Sequence, residues 1–420
     1  MKTILIARSV WCALLGFSAL ASAVELQVVD GGIEESTGRQ GWQWSDSTSR
    51  RVLAKEPDFV SDKPVWFALA LGNGKDRFIS GALDESKGTG TGYDTLYLDA
   101  NNNGDLTDDP PIKNLKTTNN SPQNTNIEFD SVTLRVAYHD GTSRQLRVKI
   151  QGQCYSYGDE NDRSQWNFSY AVEQHLEGQV QFGDKTMLVG IYDACPQGQG
   201  RIAGELNGCF DDYGVDRLRI DLDGDGKLDP VKEDFPLSKV IAVDGKLWQL
   251  DVDSAGRKLT VEPCKLPTAR VELRGAFDAS SKIESGTLEL LSGQGYAFRA
   301  DLGQQGTLIV PGAKYMIEDG SLCLADAKGA KWTAKFSYPK TMRVTAGQTA
   351  PLVLGKPFTL QAVVPDALVA GRAARVTHRL VGAGGEAYSG FLQERKQLAP
   401  TVTLTDSEGI KILEGPMEFG

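Results

Sequence analysis

The chain has 420 residues and a formal net charge of -10, from 45 basic and 55 acidic side chains. An acidic surface of this kind argues against nucleic acid and anionic lipid as partners, because both repel negative charge. It suits a protein that meets divalent cations, and a chain of this length favours two or three domains.

The first 23 residues have the pattern of a cleavable export signal. Lys2 and Arg8 form a basic region, an apolar run follows, and Ala21-Ser22-Ala23 supplies the small residues that a signal peptidase reads. The apolar run is shorter than the roughly 20 residues that a bilayer crossing needs. We therefore predict a signal peptide over 1–23, a periplasmic or secreted location and no membrane span.

Apolar and polar residues alternate along most of residues 24–265. Val132–Tyr138 and Trp166–Val172 are examples, and turn pairs such as Asp140-Gly141 and Asp244-Gly245 separate such runs. Period-two alternation between turns is typical of half-buried β-strands. The pattern predicts a mainly β fold, with several sheets in this N-terminal region.

The first candidate metal loop, Asp99–Asp109, follows the apolar strand Leu96–Leu98. Oxygen-bearing side chains stand at alternate positions, and Gly104 stands at position six, where the chain must turn sharply. Calcium takes six to eight oxygen ligands, which a loop curled in this way can gather. The predicted ligands are Asp99, Asn101, Asn103, Asp105, Thr107 and Asp109.

The second candidate metal loop, Asp221–Glu233, follows the strand Leu218–Ile220. It has carboxylates at positions one, three and five and Gly226 at position six, while position seven, Lys227, offers its carbonyl. The predicted ligands are Asp221, Asp223, Asp225, Lys227, Asp229 and Glu233. Because the first loop has Asn where this loop has Asp, we predict that the second loop binds calcium more tightly.

Both loops resemble the calcium loop of the EF-hand, and they look like the strand-entered Asp-x-Asp-x-Asp-Gly loops of secreted bacterial proteins. The EF-hand has a bidentate Glu at position twelve, where this chain has Pro110 and Lys232. Asp109 and Glu233 are the nearest carboxylates that could close each shell. The resemblance implies calcium with a mainly structural role, and the alternative is a pair of ordinary Asp/Asn/Gly turns.

The two loops also belong to a weak internal repeat. Gly92–Asp99 aligns without gaps on Gly214–Asp221, and the match continues through the loop glycines. The alignment predicts that residues 24–265 contain two related half-units, each with one calcium loop.

A domain boundary is predicted at Pro263–Pro267, where two prolines interrupt the strand pattern. Residues 266–420 contain further short strands separated by Gly-rich turns. Their length and spacing favour an immunoglobulin-like β-sandwich.

Five cysteines remain after the predicted signal peptide, and export makes disulfides plausible. Cys195 and Cys209, which flank a Gly-rich stretch, are the first predicted pair, and Cys154 with Cys264 is the second. The odd number leaves one thiol over.

No sequence motif of catalysis is found. The three histidines, His139, His175 and His378, have no metal-ligand spacing, and the chain has no nucleophile elbow, P-loop or dinucleotide fingerprint. We therefore predict that the protein is not an enzyme, although glycoside hydrolysis by paired carboxylates leaves no local signature.

The leading hypothesis is an exported calcium-binding protein with a binding or envelope-associated role, its partner a glycan or an envelope protein. The alternative is a secreted carbohydrate-active enzyme or glycan-binding module with structural calcium. Tryptophans discriminate between them, because exposed indoles in one plane can stack on sugar rings. Trp42 and Trp44 would share one face of a strand, whereas alternation predicts that Trp66, Trp166 and Trp248 are core residues.

Overall fold

A computed structural model describes most of the chain from Ser22 to Pro416. The described ranges are 22–31, 41–44, 53–89, 92–121, 124–155, 165–194, 206–276, 282–304, 306–318, 320–326, 328–338, 340–363, 377–393, 396–397, 401–405 and 408–416. Residues 1–21 of the predicted signal peptide lie outside the described residues.

The strands that precede the predicted domain boundary are β1 (Ser22–Glu25), β2 (Gln27–Asp30), β3 (Gly41–Trp44), β4 (Val65–Ala70), β5 (Phe78–Glu85), β6 (Tyr93–Leu98), β7 (Ile112–Ser121), β8 (Asn124–Phe129), β9 (Val132–Ala137), β10 (Ser143–Tyr155), β11 (Gln165–Val172), β12 (Gln174–Phe182), β13 (Lys185–Tyr192), β14 (Arg217–Ile220), β15 (Asp234–Pro236), β16 (Val240–Val243), β17 (Lys246–Val252) and β18 (Lys258–Pro263). They form three antiparallel sheets. The largest has the order β3-β11-β10-β8-β7-β6-β5-β4, with β9 paired to β10, and the others are β15-β14-β13-β12-β2 and β1-β18-β17-β16.

The strands that follow the boundary are β19 (Thr268–Ala276), β20 (Lys282–Ser292), β21 (Ala297–Asp301), β22 (Thr307–Pro311), β23 (Ala313–Ile317), β24 (Gly320–Ala325), β25 (Lys331–Ser337), β26 (Thr341–Val344), β27 (Thr349–Gly355), β28 (Thr359–Val363), β29 (Thr377–Val381), β30 (Ala387–Gln393), β31 (Lys396–Gln397), β32 (Thr401–Thr405) and β33 (Lys411–Pro416), with a 3₁₀ turn at Leu302–Gln304. A large sheet has the order β26-β23-β20-β24-β25-β30-β29-β28, with β21 paired to β20 and β31 to β30. A small sheet, β22-β19-β27, contains a parallel pair, β19 and β27, and β32 pairs with β33. The predicted mainly β fold is confirmed.

Two runs of four strands share one topology. In both β4–β7 and β12–β15, each strand pairs antiparallel with the next one along the chain. The connection between the third and fourth strands is in both cases one of the two candidate metal loops. This common context agrees with the sequence repeat, and the assignment of two related half-units stays a prediction.

Buried apolar side chains form two main cores. The first runs from Leu26 to Val261, and the second contains Val240 together with residues between Ala269 and Tyr388. The chain passes from one to the other between β18 and β19, across the segment where the sequence predicts a boundary. The large and the small sheet that follow the boundary both contribute to the second core, which is the layout of a β-sandwich.

The two regions meet beside the second candidate loop. The Arg217 guanidinium of β14 contacts the Asp234 carboxylate at 2.7 Å and the Glu289 carboxylate of β20 at 3.0 Å. Arg299 of β21 donates to the carbonyl of Asp234 at 2.7 Å. Because these charged side chains are buried or half-buried and satisfied by one another, they hold β14 and β15 against the second core.

The predicted disulfides are not formed in the part of the chain that the structure describes. Cys154 packs against the first core and Cys264 against the second, and Cys264 is a free thiol. The predicted Cys154–Cys264 disulfide is therefore absent. Cys209 is a buried free thiol, and Cys195 lies outside the described residues.

Among the described residues we find no helix with the length and apolar character that a membrane crossing requires.

Candidate metal centres

Hydrogen bonds to a neighbouring strand fix the first residue of each candidate loop. Asp99 comes directly after β6, and its N–H donates to the carbonyl of Ser80 in β5 at 3.0 Å. Asp221 comes directly after β14, and its N–H donates to the carbonyl of Leu188 in β13 at 3.0 Å. The sheet therefore positions the first residue of each loop, which in an EF-hand is positioned by the entering helix.

The Asp221 carboxylate organises the second loop. Its Oδ1 accepts the N–H groups of Gly224 at 2.7 Å and Asp225 at 3.1 Å, and its Oδ2 accepts that of Gly226 at 2.9 Å. Gly224 and Gly226 have φ values of 77° and 79°, a conformation that a residue with a Cβ adopts at a cost. The loop is thus curled around a buried carboxylate at position one.

Three carboxylates of the second loop converge. One oxygen from each of Asp221, Asp223 and Asp225 lies within 4.8 Å of the other two. Among the described residues, this is the one group of three or more His, Cys, Asp or Glu side chains with such spacing. Two like charges about 4 Å apart repel by roughly 1 kcal/mol even in water, so a cation between them would be strongly favoured.

The remaining predicted ligands of the second loop support its backbone. Asp229 Oδ1 accepts the N–H groups of Val231 at 2.7 Å and Lys232 at 3.0 Å, and the hydrogen bonds from Lys232 and Val231 lower the pKa of Asp229. The N–H of Lys227 donates to Asp225 Oδ1 at 2.9 Å, while its side chain is exposed.

The first loop repeats this hydrogen-bond pattern. Asp99 Oδ1 accepts the N–H of Asn103, and Oδ2 accepts that of Gly104, both at 2.8 Å. Asn103 Oδ1 accepts the N–H of Asp105 at 2.8 Å, as position five does in the second loop. Positions four and six, Asn102 and Gly104, again have positive φ, 56° and 83°. Two separate sequences therefore adopt the same turn.

The carboxylate that ends each loop holds the loop's beginning. Asp109 Oδ2 accepts the N–H of Ala100 at 2.8 Å, and Glu233 Oε1 accepts the N–H of Leu222 at 2.7 Å. Glu233 Oε2 also accepts the N–H of Asp229 at 3.0 Å. Burial raises the pKa of Asp109. The two residues that the sequence offers in place of the EF-hand Glu thus occupy equivalent positions.

Asn101, at position three of the first loop, has an unsatisfied acceptor. Its Oδ1 is buried and has no hydrogen-bond partner, whereas its Nδ2 is 3.3 Å from Asp108 Oδ1. A buried oxygen without a donor is unfavourable by about 1–3 kcal/mol. The lone pairs of this oxygen are therefore available to a donor or a cation.

Lys55 is a neighbour of the first loop that sequence reasoning missed. Its Nζ lies 2.5 Å from Asp105 Oδ2, and this pairing is the main reason that the pKa of Asp105 falls to about 2. Asp105 Oδ1 also accepts the hydroxyl of Thr107 at 2.5 Å. Two predicted ligand side chains, Asp105 and Thr107, therefore interact with each other and with an ammonium group. No local sequence signal indicates a contact across 50 positions.

Leucines at position eight anchor both loops. Leu106 is buried against Trp66 and Ala82. Leu228 covers Gly190, where an added Cβ would lie 2.5 Å from Leu228 Cδ1. Leu106 is fully buried, whereas Leu228 is half-buried.

A buried acidic group that the sequence analysis missed precedes β14. Asp193 Oδ2 accepts the N–H of Gly208 at 2.6 Å, and Asp216 Oδ1 accepts the N–H of Ala194 at 3.1 Å. Burial raises the pKa of Asp193 to about 8. Burial and the nearby carboxylates of Asp193 and Asp212 raise that of Asp216. These acids tie the segment before β14 to the end of β13.

Comparison of the chain with protein-family models, with curated proteins and with solved structures finds no match. The chemistry of the loops is therefore the basis on which a function can be argued.

Proposed function

We propose that the protein binds calcium at both loops and that the ions mainly stabilise the β-hairpins that the loops join. The observation that carries the proposal is the convergence of the Asp221, Asp223 and Asp225 carboxylates within 4.8 Å. Like charges at this distance destabilise an empty loop, whereas a divalent cation turns the same arrangement into an attraction.

The donor set favours calcium over a transition metal. The predicted ligands of both loops offer oxygen atoms, and hard oxygen donors in a flexible loop suit calcium, whereas zinc prefers nitrogen and sulfur. In the second loop the converging carboxylates and the carbonyl of Lys227 would hold the ion. In the first loop Asp99, Asn101 and Asn103 would do so, and the unsatisfied Oδ1 of Asn101 supports this assignment.

The two sites should differ in affinity. The first loop has amides at positions three and five, and Lys55 adds a positive charge at Asp105. The second loop has three converging carboxylates, and no lysine among the described residues is paired with them. Because calcium affinity follows the negative charge of the ligands, the second loop should bind more tightly.

The surroundings of the loops favour a structural role. Each loop enters from a strand, so binding cannot separate paired helices as it does in sensor EF-hands. Affinities of about 10⁻⁴–10⁻³ M are usual for extracellular calcium modules. The signal-like N-terminus agrees with this, and we propose a periplasmic or secreted, non-enzymatic protein with a binding or envelope-associated role.

Calorimetric titration of the chelator-treated protein with calcium tests the proposal. We expect two binding events, and Asp221→Ala together with Asp223→Ala should abolish the tighter one. Asp99→Ala should instead abolish the weaker one. Titration with magnesium serves as the control for a general charge effect, because magnesium demands a more rigid octahedral shell. Absence of heat at millimolar calcium would overturn the proposal and leave the loops as ordinary turns.

A further inference from the structure

A cleft of about 240 Å³, which we call the junction cleft, lies where the two main cores meet. Leu218 and Ile220 of β14 line it from the first core, and Phe298 of β21 lines it from the second. Leu222, at position two of the second loop, and Ile309 of β22 also line it, and both are exposed. These two side chains therefore lie at the mouth of the cleft.

The strand register explains the apolar wall that β14 and β15 provide. Leu218 is directly opposed to Phe235, so the two side chains lie on the same side of the sheet. The intervening positions of β14, Arg217 and Arg219, point to the other side, where both contact the Asp234 carboxylate. The charges of these two strands are thus satisfied away from the wall.

The interior of the cleft offers few polar groups. The described lining residues include one charged side chain, Arg299, and one hydroxyl, that of Thr307. The Arg299 guanidinium donates to the carbonyls of Asp234 at 2.7 Å and Val231 at 3.1 Å. Because most of the lining is hydrocarbon, a polar ligand buried here would lose its hydrogen bonds with water and find few replacements.

Charged side chains beside the lining are of both signs. In the strand register Arg270 and Glu272 of β19 oppose two lining residues of β22, and Glu289 of β20 opposes Arg299. Glu289 is also paired with Arg217 at 3.0 Å. Since both signs are present around the mouth, the apolar interior, and not charge, defines the class of ligand.

The tryptophans do not compete with this assignment. Trp66, Trp166 and Trp248 are buried core residues, as the sequence predicts. The side chains of Trp42 and Trp44 lie outside the described residues. The aromatic rings that line the junction cleft are those of two phenylalanines.

The size and shape of the cleft favour a small molecule over a protein partner. A stable protein interface buries at least about 1,000 Å², whereas Leu222 and Ile309 are the exposed large apolar side chains at this mouth. The apolar surface lies mainly inside, and a dry cavity of about 150 Å³ already holds benzene. Clefts between domains are also a common place for small-molecule sites. We propose that the junction cleft binds a small lipophilic molecule whose hydrocarbon part lies between the two cores.

Titration of the full chain with N-phenyl-1-naphthylamine, a neutral apolar dye whose emission rises when it leaves water, tests the proposal. One dye per chain should bind with a Kd of about 10 µM or less. The 1-alkanols from butanol to decanol should displace it, each added methylene tightening binding about three- to fourfold until the cleft is full. The titrations are made in chelator and at saturating calcium. A chain without calcium sites would therefore contradict the proposed function alone.

The double variant Leu222→Asn, Ile309→Asn should weaken dye and alkanol binding at least about tenfold. Both positions are exposed, so its thermal melt should resemble that of the wild type. The matched control is Val60→Asn, Leu115→Asn, which changes two exposed apolar side chains that do not line the cleft and should bind like the wild type. The assignment is overturned if the dye binds in neither condition, if alkanol affinity is independent of chain length, or if the cleft variant binds like the control.

Discussion

Asp223→Ala separates calcium binding from the internal stability of the second loop. Asp223 is exposed, and its Oδ1 accepts the N–H of Asp225 at 3.2 Å, a long hydrogen bond. Asp221 is a poorer choice, because its carboxylate accepts three backbone N–H groups and its loss would disturb the turn itself. The Asp223 substitution removes one of three converging carboxylates and leaves most of the loop's hydrogen bonds in place.

The expected magnitude follows from linkage. Without calcium, an exposed substitution of this kind should change the free energy of unfolding by about 0.5 kcal/mol or less. If the loop has a Kd of about 10⁻⁴ M, about 10 mM calcium stabilises the wild type by about 2.7 kcal/mol. A tenfold loss of affinity reduces this to about 1.4 kcal/mol, so the variant should melt about 2–4 °C lower in calcium.

The assay is chemical and thermal unfolding of the wild type, Asp223→Ala and Asp184→Ala, each with chelator, with calcium and with magnesium. Asp184 is an exposed aspartate in the turn between β12 and β13, so it controls for the loss of one negative charge. The reasoning is refuted if calcium stabilises Asp223→Ala as much as the wild type. It is equally refuted if the difference in free energy of unfolding between the wild type and Asp223→Ala is as large in chelator as in calcium.

Two further predictions concern the first loop and the buried acids. Lys55→Met removes the ammonium group at Asp105 and should tighten calcium binding at the first loop by about two- to fivefold. Calorimetry in the Asp221→Ala background measures this affinity. Unchanged or weaker binding would contradict the role assigned to Lys55. Burial raises the pKa of Asp193 to about 8, so its protonated form favours the folded state; this stabilisation is complete below about pH 4 and is lost as the pH rises through 8. Between about pH 5 and pH 8 the wild type should therefore lose stability that Asp193→Asn keeps. The free energy of unfolding of the variant should rise relative to the wild type by at least roughly 1.4 kcal/mol, which corresponds to one pKa unit. Urea unfolding at saturating calcium measures this difference. Parallel pH profiles would show that Asp193 titrates normally.

Local pattern was sufficient to predict the strands and several turns. The runs Val132–Tyr138 and Trp166–Val172 contain β9 and much of β11. Alternation of apolar and polar residues predicts a strand wherever one face of that strand is buried. Asp244-Gly245 turns between β16 and β17 with φ values of 50° and 71°, as a tight hairpin requires. Turn chemistry of this kind depends on a few adjacent residues, and sequence carries it directly.

Disulfide prediction failed for the opposite reason. Whether two cysteines can bond depends on a distance of a few ångströms across the fold. Cys154 and Cys264 pack against different cores, and nothing near either residue in sequence indicates which core it joins.

By itself, the sequence determined the mainly β fold, the two loops and their internal order of Asp, Asn and Gly. Those features depend on hydrogen bonds and φ values within about six residues, so a short stretch of sequence is enough to predict them. Only the tertiary structure decided that Lys55 meets Asp105, that Asp193 and Asp216 are buried near one another, and that Leu218 and Phe298 line one cleft. Each of these contacts joins residues far apart in the chain. Strand order and register create them, and no short pattern records strand order.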